Sequence, residues 1–260
     1  MVWFISPRQI YGGAAGSAGN TSLGRIGFGY LYADWKPQIS YTTPNFNGLQ
    51  ATVGITKAFS SLATGFSNGG VLIVNQQNSA APAYEGKASY SFASGDVKGK
   101  VWVSGIAQHN DNSNGGTIDD PTAYAGDIGA QISAAGFDVS GYYYNGTAIG
   151  TTGQFFDNYA IVSGQVRSRD SDGGYVQVKY TLPTRTIAAI SWGASNLDRA
   201  NGEAVAVNLV KTNEMWDAML IHPLTKHLNL VAEYSYQTSE AQTGASNNKN
   251  VGSLGAILFF

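Results

Sequence analysis

Apolar side chains recur at every second position along much of the chain. In the last eleven residues, 250–260 (NVGSLGAILFF), Leu254, Ala256, Leu258 and Phe260 alternate with Ser253, Gly255, Ile257 and Phe259. In 228–237 (LNLVAEYSYQ), Leu228, Leu230, Ala232, Tyr234 and Tyr236 alternate with Asn229, Val231, Glu233, Ser235 and Gln237. A period of two marks a strand with one apolar face, because successive Cβ atoms point to opposite sides. Such a face needs something apolar to lie against. A strand of about ten residues that ends the chain on an aromatic carboxylate fits a bilayer-spanning barrel strand.

The same pattern runs through the rest of the chain from Gln38. Residues 38–43 set Ile39, Tyr41 and Thr43 on one face; 49–57 set Leu49, Ala51, Val53 and Ile55 against Gln50, Thr52, Gly54 and Thr56. In 84–93 and 98–108 the apolar set includes Tyr84, Ala88, Tyr90, Phe92, Val101 and Val103. Its polar counterpart holds Glu85, Lys87, Ser89, Lys100, Ser104 and Gln108. Residues 123–133 and 137–145 form the next predicted hairpin, with Ile128, Ala130 and Ile132 opposed to Asp127, Gly129 and Gln131. Val176, Val178, Tyr180 and Leu182 oppose Gln177, Lys179 and Thr181 in 175–182; further strands are expected at 186–195 and 209–220. Residues 150–173 are ambiguous: 158–166 fits either a strand or an ordered loop.

The connections alternate in length. Short ones fall at 45–48, 94–97, 134–136, 183–185 and 223–227, and each carries a Gly or Pro of the kind that turns need. Long ones, rich in Gly, Ser and Asn, fall at 60–83, 110–120, 150–173, 196–208 and 238–249. Short turns at one end and long loops at the other is the asymmetry of outer-membrane barrels. Eleven strands follow Gln38 if 150–173 is loop. Bacterial single-chain barrels are normally even-numbered, so the odd count predicts that the front of a barrel is missing.

Composition narrows the class. The net charge of −2 argues against a general nucleic-acid binder. Charged residues make up only 12%, about half the globular norm, and Gly (33) and Tyr (15) are plentiful. That mix suits many strands with turns and amphipathic rings at a membrane interface. With no Cys there is no disulfide, thiolate metal site or Cys nucleophile. No apolar run reaches the ~18 residues of a transmembrane helix, which leaves barrel strands open. The opening MVWFISPRQIYGG has neither a positive n-region nor a small-residue cleavage site, and a late start within a longer gene is the expectation.

Chemistry-bearing motifs are few. His109, His222 and His227 sit in a predicted loop and around a turn, without an HExxH or a carboxylate cluster at ligand spacing. Residues 111–116 and 170–174 carry Asp, Asn and Gly but lack the twelve-residue calcium-loop register. The Gly cluster at 12–19 has no Gly-Lys-Ser/Thr. No cofactor, metal site or catalytic set is expected, and the chain reads as a non-enzyme. Trp102, Trp192 and Trp216 are candidate girdle residues; core packing in a soluble β-protein is the competing account. By parity, Lys87, Lys100, Lys179, Glu85, Asp127, Asp138, Asp217 and Glu233 share the polar face. They are candidates to line a pore, with solvated charges of no special role as the plain alternative.

Residues 24–55 (GRIGFGYLYADWKPQISYTTPNFNGLQATVGI) resemble the general porins of Gram-negative bacteria, in which segments of the type SIRYDSP-x-F-x-GF follow the third, inward-folded loop. YVQVKYTLPTRT at 175–186, HPLTKHLNLVAEYSY at 222–236 and the terminal Phe260 are similar to the last strands of that family. The resemblance implies an all-β, antiparallel transmembrane β-barrel with about eleven of sixteen strands present. It implies one domain over 1–260, with 1–35 a remnant of the constriction loop and 36–260 the wall and its loops. It also implies a water-filled channel for passive diffusion of small hydrophilic solutes and ions. The setting would be the Gram-negative outer membrane, with lipid and lipopolysaccharide around a homotrimer and no nucleic-acid partner. In the family, basic wall residues face an acidic constriction loop, which adds Arg25 and Lys36 to Lys87, Lys100 and Lys179 as pore-field candidates. Residues 1–33 hold no Asp or Glu, so an acidic constriction is not visible here. The alternative is an adhesin or hydrolase on a β-scaffold, either a soluble sandwich or an outer-membrane protein. A sandwich would bury its apolar faces against each other.

Overall fold

The structure, a computed structural model, describes residues 27–31, 36–58, 81–110, 122–151, 157–205 and 209–260 of the 260-residue chain. Eleven strands form one antiparallel sheet: β1 (Gln38–Thr42), β2 (Leu49–Thr56), β3 (Ala83–Ser94), β4 (Val97–His109), β5 (Thr122–Ala134), β6 (Phe137–Thr147), β9 (Asp170–Thr181), β10 (Ile187–Leu197), β11 (Val210–Pro223), β12 (Leu228–Ala241) and β13 (Ser246–Leu258). Between β6 and β9 a separate hairpin, β7 (Tyr159–Val162) with β8 (Gln165–Ser168), stands off the sheet. Every strand pairs with its neighbour in the chain once that hairpin is set aside, so this is a pure meander.

The tight turns follow from local backbone chemistry. At the β5–β6 turn, Ala135 (φ 50°) and Gly136 (φ 83°) both take the left-handed conformation. Positive φ at both central residues makes a type I′ turn, whose twist matches that of the flanking strands. At 45–48, Asn47 and Gly48 do the same, and the Gly48 N–H donates to the Asn45 side chain at 2.6 Å.

Register settles which residues share a face. Leu49, Tyr90, Val101, Ala130, Gly141, Val176, Trp192, Trp216 and Tyr236 lie directly opposite one another in an unbroken row across nine strands. That face is exposed and apolar: Ile39 is 83% exposed, Leu254 89% and Ile128 57%. A soluble sheet cannot leave such a continuous apolar surface in water; a single exposed leucine is ordinary, but a whole sheet face is not. From Tyr84 to Phe92 the outward residues of β3 cover about 27 Å along the strand. Tilted by roughly 40°, that spans on the order of 20 Å of membrane, close to the apolar band of such barrels. Aromatic rings bracket the band. Phe92, Phe137 and Tyr180 lie toward the short-turn end, the last two with centroids 4.5 Å apart. Trp192 and Trp216, 6.3 Å apart, sit toward the long-loop end.

Three sequence-based expectations change. The β7–β8 hairpin resolves the ambiguous 150–173 stretch, and β9 starts at Asp170 rather than near Tyr175, so 170–174 is strand. The expected long loop at 238–249 shrinks to a turn at 242–245, because β12 and β13 stay paired as far as Glu240 and Ser246. Both faces of that extension are polar, and a ladder standing in water leaves no hydrophobic alternation to read. His109 closes β4 instead of lying in a loop.

Candidate functional site

The face opposite the apolar one is the functional candidate, and it faces inward. Residues 27–31 lie on it, against β9 and β10. The Gly29 N–H donates to Ser195 Oγ at 2.8 Å. A Cβ on Gly193 would stand 2.3 Å from the Phe28 carbonyl oxygen, and one on Gly29 would stand 2.0 Å from that of Gly174. The side-chain-free Gly193 on β10 and the Gly174 carbonyl on β9 thus frame a notch in which the segment rests backbone to backbone. Gly29 needs its glycine twice, since its φ of 99° also lies outside the range of other residues.

A second segment folds onto the same face just beyond β6. Ala148 and Ile149 are fully buried with Tyr144, Ala123 and Ala125, and Leu31 packs against this cluster. The Tyr144 hydroxyl donates to the Thr151 carbonyl at 3.2 Å, and Ser171 Oγ donates to the Gly150 carbonyl at 2.8 Å. A small apolar core therefore sits on the inward face near the long-loop end, built from wall, loop and the 27–31 segment together.

Outside the sheet, loop meets loop. The Arg169 guanidinium grips Glu203 through Nε (2.9 Å) and Nη2, both side chains being buried, and its Nη1 donates to the Asp157 carbonyl at 2.9 Å. Ala200 N–H and Arg199 add further bonds to Glu203. Burial pushes the Glu203 carboxyl up, but the bonds and charge of Arg169 outweigh it and hold the group below the usual glutamate range. Burial pushes the Asp157 carboxyl up, against the opposing pull of Arg169. The β7–β8 hairpin and the loop after β10 are thereby locked into one cap.

The charged candidates fall on the inward face by register. Lys87, Ser104, Asp127 and Tyr144 form one row; Lys100, Gln131, Ser140, Gln177, Ser191 and Asp217 form another. Asp138, Lys179, Met219 and Glu233 belong to a third. Lys36 pairs with Glu85, Lys179 pairs with Asp138 at 3.7 Å, and Asp127 accepts from Ser104. Asp217 is buried. Arg25 lies outside the described residues, as do 1–26 and 32–35 of the expected constriction segment. Two features escaped the sequence reading although strand parity carries both. Lys98 shares the inward face with Asp138 and Lys179. Trp102, expected as a girdle residue, points inward and lies across Gly129, while Trp192 and Trp216 point outward. Trp102 and Lys100 are two apart, so the same parity that placed the lysine placed the ring.

A single meandering sheet, apolar outside and polar inside with chain folded onto the polar face, defines a membrane-spanning β-barrel. The Gram-negative porin family matches residues 3–242, and the chain belongs to that family. It is therefore a protein of the bacterial outer membrane. Among solved structures, the outer membrane channel DcaP of Acinetobacter baumannii superposes with a TM-score of 0.71 at 17% identity, over 98% of this chain and 68% of that one. The anion-selective porin from Comamonas acidovorans gives 0.47 at 12% identity over 85% of this chain and 57% of that one. OmpF of Salmonella typhi gives 0.49 at 14% identity over 85% and 61%. The chain thus spans about two thirds of the first and less of the other two. No curated protein matches the chain by sequence.

Proposed function

We propose that the chain supplies eleven wall strands of a water-filled channel through which small hydrophilic solutes and ions diffuse passively, sorted by size and charge rather than transformed. The observation that carries this is the division of the sheet into an outward apolar face and an inward polar one. A closed ladder satisfies the backbone in hydrocarbon, and the polar side then has only water to face. The same division removes the sandwich reading, whose apolar faces would be covered.

The residues that set the field are Lys36, Lys87, Lys100, Lys179, Glu85, Asp127, Asp138, Asp217 and Glu233, with Lys98 added. Lys36–Glu85 and Lys179–Asp138 largely neutralise one another. Among the described residues no ion pair holds Lys87, Lys98 or Lys100, all on β3 and β4, whereas Asp217 and Glu233 sit on β11 and β12. Cations gathered on one wall and carboxylates on another give a field across the lumen, the arrangement that sorts ions in a narrow pore. We read the segment at 27–31 as part of an inward-folded constriction loop, of which 1–35 is a remnant. Assembly as a homotrimer amid lipid and lipopolysaccharide completes the proposal, supported by membership of the porin family.

Planar-bilayer recording tests it. Steady conductance with a reversal potential set by a salt gradient is expected, and Lys100→Glu should move that potential toward cation preference. Absence of conductance from correctly folded, membrane-inserted protein would refute the channel. An unmoved potential would refute the field.

A further inference from the structure

One cross-strand row of the inward face departs from its neighbours. It carries Trp102 on β4, Gly129 on β5, Tyr142 on β6 and Tyr175 on β9 in direct register. The Trp102 ring lies flat on Gly129: a Cβ there would stand 2.1 Å from Cζ2 and 2.3 Å from Cε2. Tyr142 and Tyr175 are stacked, with centroids 5.6 Å apart and planes 26° from parallel. All three rings are only partly buried. The row to one side is Lys100, Gln131, Ser140 and Gln177, and the row to the other begins Lys87, Ser104, Asp127. The result is an aromatic shelf between two polar ledges on an otherwise hydrophilic wall.

Packing accounts for only part of it. Tyr142 packs against the small buried cluster, as Leu31 does, and its hydroxyl is hydrogen-bonded to the Leu31 backbone. Trp102 and Tyr175 have no such role in that cluster. Rings that merely lined water would cost solvation that Ser or Gln at the same positions would not.

We propose that this shelf is a weak binding site for saccharides on their way through the lumen, a proposal that rests on the channel reading above. A pyranose has one face of C–H bonds and a rim of hydroxyls. Its C–H face suits the negative face of an aromatic ring, and its rim suits amide, hydroxyl and ammonium groups placed to either side. The flanking amides Gln131 and Gln177 can each donate and accept, as a rim of hydroxyls requires. The Lys87 ammonium, now 5.3 Å from the Trp102 ring centroid, swings off the ring to meet a hydroxyl. Weak binding is what a channel needs, since a solute must leave as readily as it enters.

The test is ion-current block by sugar, read beside Trp fluorescence of the same protein in detergent. A neutral disaccharide should reduce the current in a concentration-dependent way and shift the fluorescence of the native protein but not of Trp102→Leu. Tyr175→Leu, which keeps apolar bulk without a ring, should weaken block by roughly three- to tenfold. Tyr175→Phe, which keeps the ring, should restore most of it. Block by benzoate with none by sugar, or equal block in native protein and Tyr175→Leu, overturns the proposal. Loss of all conductance would instead count against the channel reading, and the fluorescence titration would still decide the sugar site.

Discussion

The sharpest prediction concerns Gly193→Ala. A methyl group at this position meets the Phe28 carbonyl oxygen at 2.3 Å, about 1 Å inside ordinary contact, and the wall behind it is sheet backbone that cannot retreat. Overpacking of this kind costs about 1–3 kcal/mol. Lifting the segment also breaks the bond from Gly29 N–H to Ser195 Oγ, worth about 1 kcal/mol net. Because that bond is lost on lifting in the native protein too, only the overpacking alters the balance, and about 1–3 kcal/mol changes the ratio of seated to lifted segment by about 5- to 150-fold. The strand ladder is untouched, because β10 keeps its partners on both sides. If the segment narrows the lumen, Gly193→Ala should give larger or noisier single-channel currents with unchanged thermal stability of the folded barrel. Ser195→Ala, which removes only the hydrogen bond, should give the smaller effect. Gly255→Ala, where an added Cβ meets nothing within 4 Å, is the matched control. Native conductance and noise in folded Gly193→Ala would refute the seating argument.

Further outcomes follow from the same structure. Leu254→Lys puts an ammonium on the lipid side and should cost about 2–4 kcal/mol if it lies near the bilayer centre, while Ser253→Lys, one residue away on the inward side, should be tolerated; urea unfolding of protein refolded into liposomes separates them. Arg169→Met strands the buried Glu203 carboxylate and should destabilise the external cap by about 3–5 kcal/mol, read as faster proteolysis of the loops with the wall intact. Glu203 is held below its ordinary range, so its contribution is present above the unfolded-state value and lost as pH falls through the lower folded value. The cap should therefore stay protease-resistant through mildly acidic pH and loosen only in stronger acid; loosening between neutral and mildly acidic pH would contradict the assignment.

The alternation of side chains was enough to place the strands, their two faces and the turns at one end. Leu254, Ala256 and Leu258 already separate from Ser253 and Gly255 in the bare sequence, because a strand's side chains must alternate whatever it packs against. Lys87, Lys100 and Lys179 were legible for the same reason. What the sequence could not show was anything made by contact between distant segments. Gly29 meets Ser195 across 166 residues, Arg169 meets Glu203 across 34, and neither pair has a local pattern. Trp102 and Gly129 fit together because register sets them side by side, and register depends on ladder hydrogen bonds rather than on hydropathy. Strand periodicity is a local property of the chain and survives in one dimension. The notch, the cap lock and the aromatic shelf exist only once the strands are aligned, so tertiary structure alone decided them.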